Sequence, residues 1–210
     1  MKITSTNIAK PTTIIWNGKE EITGIYKMPT EAPIYLGKHD VKGDEVTDRK
    51  HHGGAFKACY LFSENHYSYW KNLYPNLDWN WGMFGENLTV KGLDETKISI
   101  GDIYKVGEAI IQITQPREPC YKFGVKFGNQ KAIKQFIEHG FPGTYVRVLE
   151  EGFVKTSDTF KLLKKAENSI TTAQFYNLLF SKEKDKNLIR LILDNDALPE
   201  SKRDKLKQFI

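Results

Sequence analysis

The sequence predicts a mainly β protein with helices: a β-barrel or β-sandwich domain over residues 1–165, followed by a small three-helix domain over residues 166–210. Short β-branched and aromatic runs alternate with Gly and Pro in the first part, which is typical of barrels and sandwiches. No repeat of about 20–50 residues interrupts this pattern. After about residue 166 the apolar residues recur every three or four positions, which indicates helices. The length of 210 residues suits one substantial domain with a small appendage.

The β-rich part is predicted to begin with a hairpin. Thr12–Trp16 is a β-branched and aromatic run, Asn17-Gly18 favours a tight turn, and Glu21–Tyr26 supplies the return strand. Ala58–Phe62 is typical of a buried strand, and Ser63 is expected to cap a helix that runs to about Leu73. Further strands are predicted at Asn87–Val90, Ile103–Val106, Ala109–Thr114, Tyr145–Leu149 and Phe160–Leu163, with a helix at Gln130–His139 that ends at Gly140.

Three short helices are predicted in the C-terminal part, at Thr171–Phe180, Glu183–Leu193 and Pro199–Ile210. Pro199 suits a first helical position. The alternating charges of this part are typical of a solvated helical surface.

Composition excludes several classes of protein. Lys and Arg number 31 and Asp and Glu 26, and the resulting net charge of +5 fits an anionic ligand or a nucleic acid without selecting either. The two cysteines are too few for a disulfide framework or a four-cysteine zinc site. No apolar run reaches about 18 residues, and Met1–Lys10 lacks the apolar core of a secretory signal. The expected compartment is therefore the cytoplasm, where thiols stay reduced.

The most informative stretch is Gln115–Lys122, in which two prolines stiffen the end of an apolar strand. A rigid loop at a strand end is where a scaffold presents a functional side chain. Cys120 lies there between Arg117 and Lys122, and nearby cations favour the thiolate form that binds metals. A half-buried cysteine in an ordinary turn is the alternative. Cys59 lies within a strand run and is interpreted as a core residue.

A second cluster, Lys50–Lys57, carries paired glycines and histidines. Gly53 and Gly54 let the backbone approach a ligand, and successive N–H groups there can form an anion-binding nest. His51 and His52 offer donors or metal ligands, although neighbours on a strand point to opposite faces. A glycine turn with two surface histidines is the alternative.

A third cluster, Gly82–Leu88, combines glycines with Glu86 and Asn87, which are suited to orient polar groups of a ligand. An ordinary loop in which Asn87 bonds its own backbone is the alternative. The sequence contains no G-x-G-x-x-G, P-loop, H-E-x-x-H or G-x-S-x-G motif. Electrons for any reduction are therefore expected to come from elsewhere.

Taken together and in order, KHHGGAFKACY (Lys50–Tyr60), GENL (Gly85–Leu88) and QPREPCYK (Gln115–Lys122) resemble a MOSC domain, a family named for the C-terminal domain of molybdenum cofactor sulfurase. The similarity is closer to the YiiM-type branch, whose members carry a MOSC β-barrel followed by a small three-helix domain. The segments HYSYW, GDIYKVGEAIIQITQPR and PGTYVRVLEEG also resemble this branch, so the resemblance covers essentially the whole chain.

The resemblance implies that the protein binds the molybdenum cofactor (Mo-molybdopterin). It also implies reduction of N-hydroxylated compounds such as 6-N-hydroxylaminopurine to amines, with electrons from a separate flavoprotein reductase. The family cysteine corresponds to Cys120, which would ligate molybdenum as a soft thiolate. His52 or Glu86 would supply a proton to the departing oxygen. The residues expected to hold the cofactor are His52, Gly53, Gly54, Lys57, Asn87, Arg117, Tyr121 and Lys122.

Two other functions fit the same residues. A sulfur carrier would hold a persulfide on Cys120 and would need no metal turnover. A non-enzymatic nucleic-acid or anion-binding module would use the positive charge and the aromatic residues, and its affinity would fall steeply with salt. We expect no membrane partner, and the small net charge disfavours nucleic acid.

Overall fold

The computed structural model of the chain describes residues 1–45, 47 and 53–210. Within these residues the strands are β1 Lys2–Ala9, β2 Thr12–Trp16, β3 Lys19–Thr23, β4 Lys27–Thr30, β5 Ile34–Leu36, β6 Cys59–Ser63, β7 Leu88–Lys91, β8 Ile103–Val106, β9 Ala109–Pro116, β10 Thr144–Glu150, β11 Gly152–Val154 and β12 Phe160–Lys164. The α-helices of the same residues are α1 Tyr67–Leu73, α2 Tyr121–Lys126, α3 Lys131–His139, α4 Thr172–Phe180, α5 Lys186–Leu193 and α6 Glu200–Lys207.

Eight strands form the main sheet, in the order β12-β8-β9-β10-β6-β7-β1-β4. Its pairs are antiparallel except for β6 and β7, which run parallel and are joined by a crossover that contains α1. Parallel neighbours need such a crossover because a tight hairpin reverses the chain direction. Two small ribbons, β2 with β3 and β5 with β11, lie outside the main sheet.

The mainly β class with helices is confirmed, but the predicted barrel does not close. In the part of the chain that is described, β4 and β12 remain the edges of the main sheet. The reason is that β4 has four residues and pairs only with the second half of β1. The start of β1 instead meets the segment before β12: Ile3 N–H donates to the Asp158 carbonyl at 2.9 Å, and Phe160 N–H donates to the Met1 carbonyl at 3.0 Å. A closed barrel requires continuous ladders between neighbouring strands all the way round.

The three predicted C-terminal helices are found as α4, α5 and α6. The first begins with a capping box, because the Thr171 side chain accepts from Gln174 N–H and the Gln174 side chain accepts from Thr171 N–H. Buried residues of these helices, among them Phe175, Ile189 and Leu206, belong to the same apolar cluster as the strands of the main sheet. The domain boundary at residues 165 and 166 stays a prediction.

A second, aromatic cluster fills the space between the main sheet and helices α1 to α3. Phe62 of β6 stacks on Phe84 with ring centroids 4.0 Å apart, and Trp70 of α1 is fully buried beside them. Phe123, also fully buried, fixes α2 in this cluster. Helix α2 was not expected from the sequence, and it begins directly after Cys120.

Other differences concern a strand that was not predicted and the ends of predicted elements. Strand β1 was not predicted, and β3 ends at Thr23 rather than continuing to residue 26. Ser63 ends β6 and its hydroxyl donates to the Leu93 carbonyl at 2.9 Å, so it does not cap the helix as expected. Across residues 1–45, 47 and 53–210, none of the helices combines the length and the apolar character needed to cross a membrane.

Candidate functional site

Cys120 is presented by the short loop between β9 and α2. It has an extended backbone with φ −122° and ψ 175°, and Phe123 N–H donates to its carbonyl at 2.9 Å. Because Phe123 is buried in the aromatic cluster, this hydrogen bond connects the Cys120 backbone to the core. The Cys120 side chain is half-buried, whereas Cys59 is 1% exposed. The interpretation of Cys59 as a core residue is confirmed.

Cys120 lies in the wall of a pocket of about 80 Å³ that is partly open to solvent. The pocket walls come from the root of the β2–β3 ribbon, the start of β4, the Gly82–Leu88 loop, the Cys120 loop and β10. The lining residues are Thr23, Gly24, Ile25, Lys27, Glu45, Thr47, Gly85, Arg117, Cys120, Lys122 and Tyr145.

Arg117 is the most deeply buried cation of this pocket, with 5% of its surface exposed. Its guanidinium carbon lies 5.0 Å from the centre of the Tyr60 ring and 5.6 Å from that of Phe123, so aromatic faces partly compensate its charge. Within the described residues, its Nε and Nη1 have no hydrogen-bond partner although both are buried. A buried donor without a partner costs about 1–3 kcal/mol, so these two N–H groups favour a ligand that accepts hydrogen bonds.

Lys27 is a pocket residue that sequence reasoning missed. It is 7% exposed and forms an ion pair with Asp44, which also accepts from Ala9 N–H at 2.7 Å and from Asn87 Nδ2 at 2.9 Å. Burial lowers the pKa of Lys27, and the attraction to Asp44 opposes this effect. One lysine in a strand carries no local signal of burial, and 90 residues separate it from Arg117.

Lys126 joins two walls of the pocket. Its ammonium donates to the Ile25 carbonyl at 3.0 Å and to the Gly82 carbonyl at 2.9 Å. Burial lowers its pKa to about 7, although Glu86 acts in the opposite direction. Lys126 therefore lies as a partly buried lysine near Arg117 and Lys27.

Lys122 lies at the edge of the pocket, and 11% of its side chain is exposed. Its ammonium is 3.4 Å from the Ile22 carbonyl and 4.0 Å from the Glu21 carboxylate of the β2–β3 ribbon. Among the described lining residues, the charged ones are thus three cations, Lys27, Arg117 and Lys122, and one carboxylate, Glu45. This balance favours an anionic ligand.

The predicted His-Gly-Gly cluster is described only in part, because Lys50, His51 and His52 lie outside the described residues. Gly54 has φ 91°, a conformation that favours glycine, and a Cβ atom there would meet open space. Lys57 follows in a short 3₁₀ turn, and its ammonium lies 5.5 Å from the centre of the Tyr145 ring. Tyr145 lines the pocket, whereas Lys57 is not among the described lining residues. Gly53 and Gly54 are not part of the described lining.

Glu86 is completely buried, and its carboxylate organises the loop beside the pocket. It accepts from Gly82 N–H at 3.0 Å, from Phe84 N–H at 3.1 Å and from Thr89 Oγ1 at 2.7 Å, and the Tyr67 hydroxyl also donates to it. These contacts occupy both carboxylate oxygens. Glu86 therefore holds the loop in place, and its oxygens are not available to a substrate in the pocket.

Asn87 and Tyr121 also make contacts away from the pocket. The Asn87 amide accepts from Tyr60 N–H at 3.2 Å and donates to Asp44, so it connects β6 with the partner of Lys27. The Tyr121 ring stacks on Trp16 at 4.9 Å, and its hydroxyl donates to Glu21. Of the predicted site residues that the structure describes, it brings Arg117, Cys120 and Lys122 into one pocket.

Gly85, the first residue of the GENL segment, packs closely against Arg117 and Ile25. Gly85 has φ 75°, and a Cβ atom added there would lie 3.3 Å from Arg117 Nη1 and 3.2 Å from Ile25 Cγ1. Both the backbone conformation and the lack of space favour glycine. Gly85 thereby lets the Arg117 guanidinium sit beside the loop that Glu86 holds.

A family model for the MOSC domain matches residues 48–161, more than half of the chain. The chain belongs to the MOSC domain family. The matched range includes the loop with Arg117 and Cys120 and the Gly82–Leu88 segment. Lys27 lies before the matched range.

Relatives extend this result over almost the whole chain. The chain is 38% identical over 202 residues to YflK of Bacillus subtilis (strain 168), which covers 96% of this chain and 90% of YflK. It is 32% identical over 151 residues to a Gibberella moniliformis protein named Reductase, covering 70% of this chain but 27% of that larger protein. It is 31% identical over 148 residues to YiiM of Escherichia coli (strain K12), covering 70% of this chain and 66% of YiiM.

Among solved structures, YiiM from Geobacillus stearothermophilus matches with a TM-score of 0.82 and 29% identity. The match covers 99% of this chain and 98% of that protein, so it includes the C-terminal helices. The predicted similarity to the YiiM-type branch is therefore confirmed.

Proposed function

We propose that this protein binds the molybdenum cofactor in the Cys120 pocket and reduces N-hydroxylated compounds, such as 6-N-hydroxylaminopurine, to amines. Membership of the MOSC family supports the cofactor, and the name of one relative, Reductase, supports a redox reaction. The observation that carries the proposal is the pair of unpartnered, buried Arg117 nitrogens in a cationic pocket beside a half-buried thiol. An anionic cofactor that also requires a soft sulfur ligand fits this set of groups.

The residues present would divide the task of holding the cofactor. Cys120 would be the thiolate ligand of molybdenum, and Arg117, Lys27 and Lys122 would face the anionic groups. Arg117 is suited to bidentate recognition of a phosphate, whereas a lysine offers a point charge. Lys57 and the amides of Gly53 and Gly54 would extend this cationic surface at the rim.

The cofactor would supply the two-electron redox chemistry that the side chains of this protein lack. Reduction of an N–OH group consumes two electrons and two protons and yields an N–H group and water. A separate reductase, which we propose is a flavoprotein, would supply the electrons. His52 is the proposed proton donor. Glu86 is not suited to this role, because contacts within the protein occupy both of its carboxylate oxygens.

Replacing Cys120 with Ala tests the proposal. The matched control is Cys59→Ala, which removes the other thiol. Both variants and the wild type are purified from a host that makes the cofactor. Molybdenum content and 6-N-hydroxylaminopurine reduction with a chemical electron donor are then measured. We expect Cys120→Ala to lose both molybdenum and activity, and Cys59→Ala to keep both.

The same samples distinguish the alternative of a sulfur carrier. Such a protein would release sulfur on treatment with cyanide from the wild type and not from Cys120→Ala, and neither would contain molybdenum. A Cys120→Ala protein with wild-type molybdenum content and activity would show that the proposed function of Cys120 is wrong.

A further inference from the structure

The loop that carries Cys120 is in direct contact with the C-terminal helices. Glu118, two residues before Cys120, forms an ion pair with Lys202 of α6. The Lys202 side chain is 20% exposed and the Glu118 side chain 45%, so the pair is partly shielded from water. The 84 residues between the two partners make this a long-range contact.

Tyr176 of α4 is a further buried residue of the C-terminal helices. It is 1% exposed, and in the described part of the chain its hydroxyl has no hydrogen-bond partner. Burial raises the pKa of this hydroxyl, and the charges of Arg117 and Glu118 also act on it. Helix α4 packs against β9, the strand that leads into the loop.

The opposite end of the loop is held by the β2–β3 ribbon. Tyr121 stacks on Trp16 and donates to Glu21, and Lys122 approaches the Ile22 carbonyl. The segment with Cys120 therefore lies between two supports that come from distant parts of the chain. Pro116 and Pro119 restrict the backbone angles of this segment, but they do not determine how the segment is oriented relative to the pocket.

We propose that the C-terminal helical segment is a positioning element for the Cys120 loop, acting through the ion pair between Lys202 and Glu118. By fixing Glu118, Lys202 keeps the adjoining Arg117 and Cys120 directed into the pocket. Lys202 and Glu118 are thus positioning residues that touch no ligand themselves. This inference goes beyond the proposed function, because it concerns the arrangement of the loop in the protein without cofactor.

The reaction of Cys120 with iodoacetamide measures this positioning directly. Cys120 is half-buried, so loosening the loop should expose its thiol more often, whereas Cys59 is buried and serves as an internal reference. In the cofactor-free protein at one fixed pH, Lys202→Met and Glu118→Gln should each react about two- to fivefold faster than wild type, in keeping with a partly exposed ion pair. Lys202→Arg, which keeps the charge, should restore the wild-type rate.

Lys207→Met is the matched control, because Lys207 lies on the same helix and pairs with Asp204 within that helix. It should leave the Cys120 rate unchanged. Thermal unfolding of each variant separates positioning from general stability.

Wild-type rates in both Lys202→Met and Glu118→Gln would overturn the proposal. So would a faster rate that is matched by faster reaction of Cys59, since the whole protein would then be opening. Neither result depends on molybdenum, so the proposed function can fail while this inference stands.

Discussion

Arg117 combines a full positive charge with almost complete burial and two nitrogens that lack partners in the described chain. Each unpartnered donor costs about 1–3 kcal/mol, and the contacts with the Tyr60 and Phe123 rings return about 0.5–2 kcal/mol each. The costs and the gains are of similar size, so Arg117 adds little to the stability of the cofactor-free protein. We propose that Arg117 serves ligand binding instead.

Replacement of Arg117 with Met should consequently separate stability from binding. The methionine keeps most of the apolar stem, so the free energy of unfolding of the cofactor-free protein should stay within about 1 kcal/mol of wild type in urea titrations. Cofactor affinity should fall about 10- to 100-fold, because charge-assisted hydrogen bonds of about 1.5–3 kcal/mol are lost. Molybdenum content after dialysis measures this loss.

The matched control is Arg147→Met. Arg147 Nε donates to Gln112 at 2.6 Å and its Nη2 donates to Asp196 at 3.1 Å, so its hydrogen bonds are already made within the protein. Its loss should lower stability and leave cofactor binding unchanged. If Arg117→Met retained the cofactor like wild type, the assignment of Arg117 to the anionic group would be wrong.

At the scale of elements, the β2–β3 ribbon stands outside the main sheet and depends on contacts with α2. An isolated two-stranded ribbon is marginally stable in water. The stacking of Trp16 on Tyr121 at 4.9 Å supplies the principal aromatic contact, and Ile14 is buried on the same face. Because Thr23, Gly24 and Ile25 line the pocket, the stability of this ribbon determines how well one pocket wall is defined.

Trp16→Ala should loosen this ribbon while the main sheet stays intact. We expect amide hydrogens of Thr12–Thr23 to exchange about tenfold faster, which corresponds to about 1.4 kcal/mol of local stability. Ile15→Ala is the control on the same strand, since Ile15 is 62% exposed on the other face. Equal exchange in the two variants would show that the Trp16 stack does not hold the ribbon.

This ribbon also shows what local sequence can predict. Asn17 and Gly18 have φ values of 49° and 74°, and this turn was predicted because few residues adopt such angles. Strand β1 escaped prediction because Ser5, Thr6 and Asn7 are polar and yet buried. The partners of the Asn7 amide, Thr89 at 3.1 Å and the Glu86 carbonyl at 3.3 Å, lie about 80 residues away and leave no local signal.

The same distinction applies to the site. Arg117, Cys120 and Lys122 were identified together because one stiff loop carries all three. Lys27 was missed because its burial depends on packing between distant segments, and the occupied oxygens of Glu86 became visible only in the folded chain. Local sequence thus predicts which groups share a loop, whereas the tertiary structure decides which of them face the pocket.

At the scale of the whole molecule, a histidine pair joins α1 to α3. His66, just before α1, and His139, at the end of α3, have Nδ1 and Nε2 3.2 Å apart. His139 also stacks on Tyr69 at 4.2 Å, and His66 lies 3.8 Å from the buried carboxylate of Glu95. Burial, and secondly the neighbouring His66, lower the pKa of His139 to about 4.

This pair should make the protein lose stability in mild acid. An unfolded histidine has a pKa near about 6.5, so between pH 6.5 and 4 the unfolded chain binds a proton that folded His139 does not. The stabilisation is therefore complete above about pH 6.5 and is lost as the pH falls towards about 4.

His139→Gln should flatten this dependence of the free energy of unfolding, measured by urea titration at several pH values. His39→Gln, at an exposed position, controls for the removal of one histidine. An unchanged slope in His139→Gln would show that the acid sensitivity arises at other groups.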